Sequence, residues 1–185
     1  MAHEIEVKFA LRDREELTRK LHELGAQRLY PETFEDNIVL DRRGELRTRG
    51  ALLRVRKFGK YAIATFKGPM SIEGGIKSRE EVQTGVESFE LAIQLFDSLG
   101  FKPTFRYQKF REVWRLREVE VVLDRTPIGE YFEFEGPIDT IRTIAAELGM
   151  SMDNAIRQPY ADLYRQARRT RPDLGENMIF APDEL

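Results

Sequence analysis

Residues 3–9 read His3-Glu4-Ile5-Glu6-Val7-Lys8-Phe9 (HEIEVKF), and their alternation decides what kind of sheet this chain builds. Successive side chains of an extended strand point to opposite faces. Glu4, Glu6 and Lys8 therefore share one face, and Ile5, Val7 and Phe9 share the other. The apolar face needs a cover, while its opposite carries ionic groups of both signs. The same pattern recurs along the chain. In LLRVRK (52–57) Arg54 and Arg56 oppose Leu53 and Val55, and in YAIATFKG (61–68) Lys67 shares a face with Ile63 and Thr65. Arg79, Glu81 and Gln83 line one side of IKSREEVQT (76–84), and in QKFREVWRL (108–116) Lys109 and Arg111 oppose Phe110 and Trp114. Glu120 and Asp124 oppose Val121 and Leu123 in EVEVVLD (118–124), and Glu133 and Glu135 oppose Phe132 and Phe134 in YFEFEG (131–136). With DNIVLD (36–41) these make about eight strands, and turns are expected at 42–50, 68–75 and 126–129.

Three segments supply the cover. DREELTRKLHELGAQ (13–27), ESFELAIQLFDSLGF (87–101) and DTIRTIAAELGMS (139–151) each join a helical apolar period to a terminal Leu-Gly. The first is expected to start at an Asp13 cap with Glu16 three residues on, and to bury Leu17, Leu21 and Leu24. The second opens at Glu87 or Ser88 and carries Leu91, Leu95, Phe96 and Leu99 as its stripe. The third opens at Asp139 and carries Ile141, Ile144, Ala145 and Leu148. Gly25, Gly100 and Gly149 fall where a helix end calls for positive φ.

Composition narrows the chemistry. At 185 residues the chain is one domain's worth. Lys and Arg total 30, Asp and Glu 32, and charged residues make up 34%, so the many charges nearly cancel to −2. That balance argues against a nucleic-acid-binding domain and against an acidic disordered chain. Cysteine is absent and only His3 and His22 carry imidazoles, which excludes thiolate chemistry and histidine-rich zinc sites. No apolar run reaches membrane-spanning length and the N-terminus lacks a signal-peptide core, so a cytoplasmic protein with no membrane association is expected. Any reaction then runs on carboxylates, amines, guanidiniums and hard metal ions.

The pattern alone leaves two arrangements open: a sheet with a solvated ionic face, or one rolled with that face inward. In the second, Lys8, Arg54, Arg56, Lys67, Arg79, Lys109 and Arg111 would crowd one cavity with Glu4, Glu6, Asp124, Glu133 and Glu135. The basic set then calls for an anion and the acidic set for a cation. A polyphosphate with Mg²⁺ or Mn²⁺ answers both, since hard cations take carboxylate oxygens and Lys and Arg take phosphate oxygens.

Taken in order, HEIEVKF, LLRVR, TFKGP, KSREEV, KFREVW, VVLDRTPIGEYFEFEG and RQPYADL resemble the CYTH superfamily, which groups class IV adenylyl cyclases with thiamine triphosphatases and other triphosphate tunnel enzymes. The resemblance spans about residues 3–165, and the helix pattern is similar to the class IV cyclase branch. It implies an α+β fold: an eight-stranded antiparallel β-barrel, its bore a charged tunnel, with amphipathic helices packed outside. The tunnel domain would be 1–165, followed by a C-terminal tail, 166–185. Glu4, Glu6, Glu133 and Glu135 would ligate Mg²⁺ or Mn²⁺; Glu4, Glu6 and Asp124 would be catalytic; and Lys8, Arg54, Arg56, Lys67, Arg79, Lys109 and Arg111 would hold the triphosphate. The implied activity is conversion of ATP to cyclic AMP and pyrophosphate. The alternative is hydrolysis of inorganic triphosphate, thiamine triphosphate or a nucleoside triphosphate, and a more distant one is a non-catalytic polyphosphate- or nucleotide-binding module. The implied partner is a triphosphate-bearing small molecule, with homodimerisation also suggested by the resemblance. Three positions depart from the family pattern: Asp36-Asn37-Ile38-Val39 lacks its aromatics, Gln83 replaces an acidic residue, and Pro159 replaces a serine before Tyr160. For the tail, composition favours disorder, although Met178-Ile179-Phe180 is an apolar knot able to dock.

Overall fold

The alternating segments are strands, and they close on themselves. The computed structural model describes residues 2–69, 71–73 and 76–185, with backbone alone at 2–4, 71–73 and 76–78. The strands are β1 (Ala2–Ala10), β2 (Gln27–Asp41), β3 (Leu52–Phe58), β4 (Tyr61–Lys67), β5 (Ser71–Glu73), β6 (Ile76–Val86), β7 (Lys102–Leu116), β8 (Val119–Thr126) and β9 (Gly129–Glu135). The helices are α1 (Arg14–Glu23), the single turn α2 (Glu45–Thr48), α3 (Phe89–Ser98), α4 (Ile138–Glu147) and α5 (Tyr160–Arg168). Strand order runs β1-β9-β8-β7-β2-β3-β4-β6, and β6 then pairs back onto β1, every pairing antiparallel. Eight strands thus make a ring, and only β5, hydrogen-bonded to β6, stands outside it. Closure removes sheet edges and turns the two faces of each strand into a bore and an outer wall.

The apolar faces point outward and are covered. Val7, Phe9, Trp114, Val121, Leu123, Phe132 and Phe134 are buried with Leu17 and Leu21 of α1 and Ile141 and Ile144 of α4. Phe9 stacks on Phe132 at 5.2 Å between ring centres. Capping follows the sequence for two helices: Asp13 accepts a hydrogen bond from the Glu16 amide at 2.8 Å, and Ser88 from the Leu91 amide at 3.2 Å. Gly25 and Gly100 end these helices at φ +80° and +89°, where a side chain would be strained. The helix expected to open at Asp139 instead begins at Ile138 after Pro137, which places Asp139 in its first turn.

Two other expectations are corrected. The face that α3 packs on β2 and β3 is Phe89, Ala92, Ile93 and Phe96, while Leu91, Leu95 and Leu99 are 62%, 60% and 57% exposed. Both faces of this helix are apolar, so periodicity could not choose between them, and the face with two phenylalanine rings won. The strands expected at 36–41 and 108–116 are each fifteen residues long, and β2 carries register shifts on either side of Tyr30 and between Val39 and Leu40. The 42–50 turn contains α2, and the 68–75 turn contains β5, with Met70, Gly74 and Gly75 outside the described residues.

The last segment is ordered against the barrel. β8 pairs with β7 only from Phe110 onward, leaving the edge of β7 before it open. Met178 pairs in parallel with Tyr107 there: its amide donates to the Arg106 carbonyl at 3.0 Å, and the Gln108 amide donates to the Met178 carbonyl at 2.8 Å. The Tyr164 hydroxyl of α5 donates to the Asn177 carbonyl at 2.7 Å, and both Met178 and Phe180 are buried. Composition pointed to disorder here because the knot has no local partner; its partner is an edge seventy residues earlier in the chain. Among the described residues no helix is long and apolar enough to cross a membrane.

Candidate functional site

The ionic faces line a cavity of about 1110 Å³ inside the ring. The β1–β9 register sets Glu6 opposite Glu135 and Lys8 opposite Glu133. One carboxylate oxygen from each of Glu6, Glu133 and Glu135 lies within 4.8 Å of the other two. Three carboxylates so close could hold a metal ion, and an all-oxygen donor set is of the kind that Mg²⁺ or Mn²⁺ takes. Glu133 is already tied to the Lys8 ammonium at 2.9 Å and to Arg111 at 2.8 Å. A carboxylate has about four acceptor sites, so these bonds leave it able to share a metal. Burial alone would raise Glu133, but Lys8 and Arg111 hold it well below the usual carboxylate range. Burial alone would lower Lys8, but Glu133 and then Glu6 outweigh it and keep the ammonium charged. Glu4 pairs in register with Arg79, and its side chain lies outside what is described.

Behind this cluster stands a second one around Asp124, which has no exposed surface. It accepts hydrogen bonds from Lys109 at 2.9 Å, from two nitrogens of Arg111 at 2.7 Å, and from the Tyr160 hydroxyl at 2.8 Å. Asp124 is thus absorbed in orienting cations and is not a member of the three-glutamate group. Burial, with Asp124 and Glu133 nearby, holds the Tyr160 phenol well above its ordinary value, so it remains a donor. Its ring carries the Lys8 ammonium at 4.0 Å from its centre.

Strands β3, β4 and β6 present the remaining cations. Arg54 donates to the Tyr107 hydroxyl at 3.0 Å, Arg56 lies 3.7 Å from Glu35, and Lys67 pairs with Glu81 at 2.8 Å. Arg79 lines the same cavity. The Nε atoms of Arg54 and Arg56 are buried with no hydrogen-bond partner among the described residues. Burial and the neighbouring Arg54 push Arg56 below the ordinary guanidinium value, whereas Tyr107 and Glu35 outweigh burial at Arg54 and hold it above that value. All seven expected phosphate-binding residues meet one cavity: Lys8, Lys109 and Arg111 are engaged by the acidic clusters, Arg54, Arg56 and Lys67 stand on β3 and β4, and Arg79 on β6 lies beside β1, in register with Glu4.

Sequence reading missed Glu35, Tyr107 and Tyr160. Glu35 is fully buried, 3.5 Å from Lys109, and accepts from the Asn37 amide at 2.9 Å. Its parity with Asn37 and Val39 was the available signal, but it lies one residue before the expected strand at 36–41. Of the three departures, Gln83 and Pro159 line the cavity, as does Val39, whereas Asp36 turns outward to a two-pronged pair with Arg106 at 3.0 and 2.6 Å.

A closed antiparallel barrel whose bore holds both a carboxylate cluster and a group of cations defines a class of tunnel protein. Residues 2–160 match the model of the CYTH domain, and the chain belongs to that family. Its members are adenylyl cyclase-like or triphosphatase enzymes, and the tunnel enzymes among them are metal-dependent in general. A Methanocaldococcus jannaschii protein bearing the provisional name of an adenylate cyclase is 29% identical over 174 residues, spanning 86% of this chain and 97% of its own. A Pyrococcus horikoshii structure superposes with a TM-score of 0.74 at 28% identity, covering 86% of this chain and 98% of that one. A Hippeastrum protein, provisionally an adenylyl cyclase and described as having a dominant triphosphatase activity, superposes at 0.61 with 16% identity, over 80% and 88% of the two chains.

Proposed function

We propose that the chain is a metal-dependent enzyme acting on a nucleoside triphosphate, converting ATP to cyclic AMP and pyrophosphate. The observation that carries this reading is that one cavity is lined both by a three-carboxylate cluster and by Arg54, Arg56, Lys67 and Arg79 of β3, β4 and β6. Glu6, Glu133 and Glu135 would hold the cation, with Glu4 beside them on β1. A bound Mg²⁺ or Mn²⁺ would offset phosphate charge and acidify the attacking hydroxyl. The basic wall grips the phosphate oxygens, and its guanidiniums meet the charge that builds on the departing pyrophosphate. Asp124 and Tyr160 act one step back, fixing Lys109 and Arg111 so that they need no reorganisation during the reaction. In that reaction the ribose 3′-oxygen bonds to the α-phosphorus as the bond to pyrophosphate breaks, and the hydroxyl proton passes to solvent.

The second reading, hydrolysis, uses the same residues with water in place of the 3′-hydroxyl, and the activity described for the Hippeastrum protein favours it. Incubation with ATP in Mg²⁺, Mn²⁺ or EDTA, with products separated by chromatography, tests both. Cyclic AMP with pyrophosphate supports the first; orthophosphate with no cyclic nucleotide replaces it with the second; no metal-dependent product sinks both.

A further inference from the structure

The charged residues occupy only part of the bore. Phe58 follows Arg54 and Arg56 on the inner face of β3, about 7 Å beyond Arg56 at the two-residue strand repeat. Tyr61 is its partner across the β3–β4 hairpin, and the Tyr30 ring meets it edge-on at 5.5 Å. All three line the cavity, and Tyr30 and Tyr61 are 44% and 49% exposed, so this end opens to solvent. Pro159 and the buried Tyr160 line the other end of the cavity, at the start of α5, where Tyr160 meets Asp124 and Tyr131. Three rings at an open mouth are not explained by barrel stability, because half-exposed tyrosines contribute little to a core.

We propose that Tyr30, Phe58 and Tyr61 form an aromatic collar that receives the nucleobase of a nucleoside triphosphate whose phosphates lie against the basic wall. This rests on reading the cavity as a nucleoside triphosphate site and adds which residues receive the base. A cavity of about 1110 Å³ is as large as the pockets that take drug-sized ligands, roughly 300–1,000 Å³, and so has room for a base and ribose beside the phosphates. Aromatic rings hold a base through its π-face whatever its hydrogen-bonding edge. Gln83 supplies that edge with a partner: it lines the same cavity, and its amide both donates and accepts, whereas a carboxylate there would only accept and would repel phosphate. Gly85, two residues on along the same face of β6, leaves room beside the collar, for a Cβ added there meets nothing within 4 Å.

The test is calorimetric binding of ATP and of inorganic triphosphate to the full chain, with Ca²⁺ in place of Mg²⁺ to hold turnover down. Wild type is compared with a Tyr30→Ala/Tyr61→Ala double variant, with Tyr30→Phe/Tyr61→Phe, and with Gly85→Leu. The double alanine variant and Gly85→Leu are expected to weaken ATP about tenfold while inorganic triphosphate holds, and the phenylalanine variant to keep ATP affinity. The collar is overturned if ATP and inorganic triphosphate shift together, or if ATP affinity moves in none of these variants. Wild type that binds neither ligand removes the triphosphate reading itself, and the collar with it. The altered residues are half-exposed or lack a side chain, and retained thermal unfolding separates loss of binding from loss of fold.

Discussion

At Glu35 a carboxylate with no exposed surface faces Lys109, Arg56 and Arg111 at 3.5, 3.7 and 3.9 Å. Burial alone would raise its pKa, but Lys109, Arg111 and Arg56 together hold it far below the ordinary value of 4.5. A carboxylate depressed in the folded state contributes stability that is full above its unfolded value and is lost as pH falls through the folded one. Urea unfolding of the wild type should therefore weaken below about pH 4.5, and Glu35→Gln should flatten this acid limb without abolishing it, because Glu133 is depressed in the same direction. An unchanged acid limb would mean that Glu35 is not ionised among these cations. On β3, Arg54→Ala should raise the KM for a triphosphate substrate roughly tenfold or more, the worth of one charge-assisted hydrogen bond, with little change in thermal unfolding. These residues differed in how plainly the sequence announced them. Arg54 and Glu6 sit in regular alternation and could be placed on the ionic face at once. Glu35 lies one residue before the stretch whose alternation marked a strand, and Tyr160 lies on a helix rather than a strand, so neither was placed by strand parity.

Among the elements, those whose pattern was unambiguous formed as expected. β1, β8, β9, α1 and α4 each have one apolar and one polar face, and they share a single core. Those that departed had two usable faces or a distant partner. α3 is apolar on both sides and packed with Phe89 and Phe96 inward. The C-terminal segment pairs with the stretch of β7 that β8 leaves open, a relation no local pattern carries. That docking has a measurable weight. Met178 has no exposed surface and packs with Tyr160 and Tyr164, so Met178→Ala should lower the free energy of unfolding by about 2–4 kcal/mol. Through Tyr160 the same change should loosen Asp124 and so reduce triphosphate affinity. A stability change within experimental error would show that the segment rides on the barrel without supporting it.

For the whole molecule, the β1–β6 pairing decides the chemistry. It joins the first strand to one seventy residues later and turns an ionic sheet face into an enclosed bore. Sequence alternation alone left an open sheet and a rolled one equally available, because solvent and a cavity impose the same period on a strand. Once the ring closes, repulsion within each charged set is relieved by what the other attracts: a cation at Glu6, Glu133 and Glu135 draws phosphate toward it, and phosphate on Arg54 and Arg56 draws the cation. Such coupling is reciprocal. It is measured most directly by titrating Mn²⁺ into the protein under electron paramagnetic resonance, with and without inorganic triphosphate, for wild type and Glu6→Gln. Mn²⁺ is expected to bind the wild type and to bind more tightly when triphosphate is present, and both the binding and the tightening are expected to be lost in a Glu6→Gln protein that still folds. Mn²⁺ affinity that ignores triphosphate, or that is the same in Glu6→Gln, would contradict a coupled metal site at Glu6.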